Sequence, residues 1–86
     1  MIDKCLKCTR KHLRKAMVLW LEARLGHPEK WDVALGNLAE AADAVVLIDE
    51  DFAYYLREQY LKYDADRNYI IDWQSIFQLL DMIIEP

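Results

Sequence analysis

The chain has 86 residues, a net charge of −4, 55% hydrophobic and 30% charged residues, and only two Gly and two Pro. That composition excludes disorder and calls for few, long elements in a single domain spanning residues 1–86. Its longest apolar run, Ala16 to Leu21, has six residues, far short of the roughly 18 to 20 a membrane span needs. The start of the chain has no apolar stretch of the signal-peptide kind, and two Cys make no disulfide framework. A reducing cytoplasm is therefore the expected compartment, with no membrane partner.

Charge is segregated. Residues 1–15 hold six positive charges and one negative, a net of +5, whereas residues 16–86 hold five positive and fourteen negative, a net of −9. An acidic body argues against general nucleic-acid binding. A compact basic end on that body suits a small anion, or the acidic surface of another protein or another copy.

A first helix is predicted over residues 3–25, stopped by Gly26. At about 100° per residue, Lys4, Lys7, Lys11 and Lys15 fall within roughly 80° and form a cationic ridge. Leu6, Thr9, Leu13, Ala16, Met17 and Trp20 gather on the opposite, core-facing side. Cys5, Cys8 and His12 make a third strip between them. Farther on, Ala16-Met-Val-Leu-Trp-Leu21 is apolar all round, so that half of the helix is expected to be covered on more than one side, the second cover being a neighbouring subunit.

His27 forms the loop, and Pro28 is expected to begin the second helix. Trp31, Leu35, Leu38, Ala42 and Val45 form its seam, and Gly36 with Ala34, Ala39, Ala41, Ala42 and Ala44 keeps it slim. The seam continues through Phe52, Leu56, Tyr60 and Tyr63, but Asp49-Glu50-Asp51 is expected to break the helix and cap a third. A polar turn follows over 64–68. A last helix runs from about Asp72 to Ile84, anchored by Trp73, Ile76, Phe77, Leu80 and Ile83, with Asp72 or Asn68 as its start signal. The expected fold is all-α, a three- or four-helix bundle. A thin core and the shared apolar faces make it homo-oligomeric.

Several residue sets carry chemistry. Lys4, Lys7, Lys11, His12 and Lys15, with Arg10 and Arg14 at the rim, form a candidate phosphate-binding site, and Trp20 or Trp31 would stack a base. The absence of a Gly-rich loop argues against a nucleoside triphosphate. Cys5, Cys8 and His12, completed by His27, have the donor types of a zinc site, though two half-buried apolar Cys explain the first pair as well. The segment Asp64 to Ser75 resembles an EF-hand loop through Asp64, Asp66, Asn68 and Asp72. Tyr69 in place of the turn Gly and Ser75 in place of the bidentate Glu count against calcium, and a polar helix corner accounts for the same residues. Glu40 and Asp43 resemble half of the paired carboxylates with which all-α nucleotide pyrophosphatases hold Mg²⁺; the second pair has no counterpart. No Ser, Cys or Thr has a partnered base, so no enzyme is expected and no cofactor is required.

Lys4-Cys5-x-x-Cys8-x-x-Lys11-His12-Leu13, then Gly26-His27-Pro28 and Leu35-Gly36-Asn37-Leu38-Ala39-Glu40-Ala41, resembles a group of small helical proteins of tailed bacteriophages that brings no settled activity. The resemblance covers about the first fifty residues. It implies that Cys5, Cys8, Lys11 and His12 share one site and that the protein acts in an infected bacterial cytoplasm. The expected function is a non-enzymatic binding protein that holds a small phosphate-bearing ligand, such as a nucleotide signal, on the basic site of helix 1. The alternatives are a regulator that docks its ridge on an acidic host protein, and a degenerate pyrophosphatase.

Overall fold

The computed structural model of the chain describes the backbone of residues 2–84 and the side chains of residues 6–83. Four α-helices follow one another: α1 (Ile2–Arg24), α2 (Trp31–Val45), α3 (Glu50–Ala65) and α4 (Trp73–Ile84). Pro28–Lys30 forms a 3-10 turn between the first two. Among the described residues there is no strand, and no helix is long and apolar enough to cross a membrane.

Cross-helix pairs fix the topology. His12 of α1 lies beside Asn37 and Glu40 of α2, and Asp43 of α2 beside Arg57 of α3. Phe52 and Tyr55 near the start of α3 share a surface groove with Leu79 and Ile83 near the end of α4. Arg10 and Trp20 of α1 meet Asp81 and Trp73 of α4, which closes the ring. Each helix thus runs antiparallel to the one before it, giving an up–down–up–down bundle of 37 × 19 × 19 Å.

The core follows the apolar periodicity of the helices. Leu13, Leu38, Leu56 and Leu80, one from each helix, are fully buried, and each such side chain contributes roughly 1.5–3 kcal/mol. Ala34, Ala41 and Ala42 are buried where α2 meets its neighbours, and their small side chains let the helix axes come close. Gly36 takes no part in this packing. It is exposed, and a Cβ there would meet nothing within 4 Å. The apolar second half of α1 is covered on two sides by α2 and α4, which bury Ala16, Leu19 and Trp20. Its outer face is not covered within one chain, and Val18 and Leu21 stay half exposed there.

Local chemistry sets the boundaries. Gly26 takes φ +114°, and His27 N–H donates back to the Glu22 carbonyl at 3.1 Å, the long hydrogen bond of a Schellman stop. The second α-helix starts at Trp31 rather than Pro28, because residues 28–30 wind tighter and Lys30 N–H reaches the His27 carbonyl. The break after α2 falls at 46–48, just before the acidic triplet. Asp49 leaves helical geometry, and its carboxylate accepts from Phe52 N–H at 2.9 Å. This is an N-cap, followed by Glu50 and Asp51 in a first turn that favours negative charge.

After α3 the chain turns at Asp66, whose carboxylate accepts from Asn68 N–H at 2.9 Å. Tyr69 O–H donates to buried Gln59 at 2.9 Å and ties this connection to α3. Asp72 is the start signal of α4. Its carboxylate accepts from Ser75 N–H at 3.1 Å and from the Ser75 hydroxyl at 2.7 Å.

Two predictions follow from the caps. Asp49→Ala removes an N-cap and lowers stability by about 1 kcal/mol, or about 4–8 °C in a thermal melt of a domain this size, whereas Asp49→Asn keeps most of it. The hydrogen bonds from the Ser75 hydroxyl and N–H hold the Asp72 carboxyl below its ordinary range. A carboxyl depressed on folding stabilises the native state above its unfolded-state pKa, and that contribution is lost as pH falls through the folded value. Asp72→Asn keeps a capping oxygen without the titration, so its stability, followed by urea melts below about pH 4, falls less steeply than that of the wild type.

Candidate functional site

Two cationic regions lie at opposite halves of α1. In the first, Lys7, Lys11, Arg14 and Lys15 are exposed, and about 100° per residue puts them in a sector of roughly 100°. Among the described residues none of the four is in an ion pair. The side chains of Lys4 and Cys5 lie outside the described residues. The same outer face continues into Val18, Leu21 and Leu25, which are 52%, 43% and 80% exposed. It is therefore basic over one half and apolar over the other, with Glu22 at its edge.

Two residues expected at the phosphate site face elsewhere. Arg10 pairs with Asp81 of α4 at 2.9 Å. His12 turns toward α2, with Nδ1 3.1 Å from Asn37 Oδ1 and Nε2 3.2 Å from Glu40 Oε2. Asn37 donates its own amide hydrogen to the Val33 carbonyl at 2.9 Å, which leaves Oδ1 for the ring. Asn37 Oδ1 is the hydrogen-bond partner of the ring, and the Glu40 carboxylate adds an ion-pair contact whenever the imidazole is charged. His12 thus joins α1 to α2 and does not open outward with the lysines.

Several of the candidate metal ligands are also engaged elsewhere. His27 lies beyond the far end of α1, which itself rises about 18 Å from His12 to Arg24, with Nδ1 3.3 Å from the Glu29 carboxylate. It does not complete a site with Cys8 and His12. Glu40 points to α1 and Asp43 to Arg57 of α3 at 3.2 Å, so the two carboxylates diverge. Asp66 and Asp72 hold backbone turns, as above. Among the described residues no group of three His, Cys, Asp or Glu side chains is disposed to hold a metal ion.

The second region lies at the other end of the bundle, where all three Trp collect. Trp20 and Trp73 meet edge to face at 6.0 Å, and Trp31 and Tyr63 do so at 6.2 Å. The Arg24 guanidinium lies over Trp20 at 5.1 Å and that of Arg67 over Trp31 at 4.1 Å. Both Trp faces expected to stack a base thus carry a guanidinium, and neither stands beside the lysine face. A cleft of about 220 Å³ opens here, lined by Arg24, Pro28, Trp31, Tyr63, Arg67 and Asn68. Burial pushes the Tyr63 phenol up, and the two nearby guanidinium charges pull it down. Of these residues the sequence marked Trp31 as a stacking face and Asn68 as part of the EF-hand-like loop. The i, i+4 spacing of Trp20 and Arg24 was the available signal for a cation over a ring.

The His12 node has a measurable weight. His12→Ala leaves the buried Asn37 oxygen without a donor and costs about 1–3 kcal/mol, whereas Glu40→Ala, at the exposed end of the same node, costs less than about 1 kcal/mol. Urea melts of the two variants check this order.

Comparison of the chain with models of known protein families, with curated proteins and with solved structures finds no match.

Proposed function

We propose that the protein is a non-enzymatic docking module whose outer α1 face binds an acidic, amphipathic segment of another protein. The observation that carries this reading is the unbroken strip formed by Lys7, Lys11, Arg14 and Lys15 and then Val18 and Leu21, exposed and without ion pairs among the described residues. The strip is convex, so it does not enclose a small ligand, and Arg10 and His12 are already engaged. From Lys7 to Leu21 it runs about 21 Å, a length suited to a short helix or extended segment. Carboxylates on the partner would meet the lysines, and its apolar residues would cover Val18 and Leu21. The repulsion among clustered cations is relieved in such a complex. The resemblance of residues 4–41 to small phage proteins points to a bacterial host protein as the partner, and so to the cytoplasm as the place of action.

Fluorescence anisotropy with a labelled Glu-rich amphipathic peptide tests the reading. Binding is expected, weakening as salt screens the charges, and it is lost in the double variant Lys11→Glu/Lys15→Glu while helicity by circular dichroism is unchanged. No binding, or equal binding by the variant, defeats the docking reading. Retention of a small nucleotide that Lys11→Glu abolishes would instead return this face to a small-anion site. Self-association seen in native mass spectrometry and abolished by the double variant would make the partner a second copy.

A further inference from the structure

The cleft at the tryptophan end is independent of the docking face and has a different shape and chemistry. Two guanidinium groups, Arg24 and Arg67, reach it from the end of α1 and from the α3–α4 connection. Neither forms an ion pair among the described residues, whereas Arg10 and Arg57 each have a carboxylate. Both guanidiniums rest on Trp rings, which positions them without using their N–H donors. Tyr63, a 1%-exposed residue, lines the same cleft. Among the residues lining the cleft, Trp31 has a buried indole N–H without a hydrogen-bond partner among the described residues, and a buried donor normally has one. Asn68 adds a side-chain amide at the rim.

We infer that this cleft is a binding site for a phosphate group, free or at the end of a monoester, held by Arg24 and Arg67 with the Tyr63 hydroxyl as a third donor. The planar guanidinium fork matches a tetrahedral oxyanion. The space, about 220 Å³, is below the roughly 300–1,000 Å³ of sites that enclose drug-sized ligands, so the phosphate is held and the remainder of an ester projects outward.

The test is a titration of the intact protein with inorganic phosphate, followed by intrinsic tryptophan fluorescence and by calorimetry. A small phosphate monoester is titrated in parallel. Saturable binding is expected, with Arg24→Gln and Arg67→Gln each weaker by roughly ten- to a hundredfold, the loss of one charged hydrogen-bonding group. Tyr63→Phe, which keeps the ring packing, is weaker by a smaller factor, and Lys11→Glu at the far half of α1 binds as the wild type does. Both Arg positions are exposed, and circular dichroism of each variant verifies the fold. Saturation by phosphate alone identifies the free ion as the ligand, and tighter binding of the monoester identifies the ester; both support the site. No saturable signal at millimolar phosphate, equal binding by Arg67→Gln, or equal loss in Lys11→Glu overturns it. Because Lys11→Glu probes the docking face and the arginines probe the cleft, failure of one reading leaves the other measurable.

Discussion

The seating of α1 against the slim face of α2 positions everything else in this protein. Ala34, Ala41 and Ala42 are almost fully buried, and side chains that small let two helix axes approach toward the close end of the usual 8–10 Å range. Leu13, Ala16 and Leu38 are then fully buried in the interior. The same seating carries a cost in electrostatics. A helix with Lys7, Lys11, Arg14 and Lys15 on one side is weakened by its own repulsion, by a few tenths of a kcal/mol per like pair. Burial of the opposite side, at roughly 1.5–3 kcal/mol for each large side chain, outweighs it several times over.

One helix therefore presents positive charge in two unlike settings. On the outer face the cations are on flexible stems in full solvent, where each contributes little alone and acts through number and range. At the tryptophan end two guanidiniums are held against flat rings beside a concavity, where their fixed direction makes each donor count for more. The first setting favours speed and breadth of encounter. The second favours discrimination by shape.

Much of the fold could be read directly from residue types. Gly26, Asp49 and Asp72 each terminate or start a helix by a mechanism that the local sequence contains, and helix boundaries at these points fall within a few residues of expectation. Pro28 misled because it satisfies the rules for a first helical residue, and nothing local distinguishes an α from a 3-10 start. The basic face was legible because a period of 3.6 sorts lysines without reference to any other helix. The engagement of His12 by Asn37 and Glu40 was not, since it depends on the register of α1 against α2. Likewise Arg24 and Arg67 are distant in sequence, and only the closure of the bundle brings both to Tyr63. The acidic residues Glu40, Asp43, Asp66 and Asp72 looked like ligands because spacing reveals proximity along a helix but not which neighbour each carboxylate faces.

The order of the helices has a consequence for how the chain reaches this state. Successive antiparallel packing makes most contacts local in sequence, and topologies of low contact order fold on the microsecond-to-millisecond scale. One seam is different. The pairing of Arg10 with Asp81 spans 71 residues, and loop-closure entropy makes such a contact the slowest to gain. On this topology α4 is expected to dock last, sealing the Trp20–Trp73 contact as it does so. By the same reasoning α4 is expected to detach first under native conditions, its amide protons exchanging through sub-global opening while those of α1 and α2 await complete unfolding.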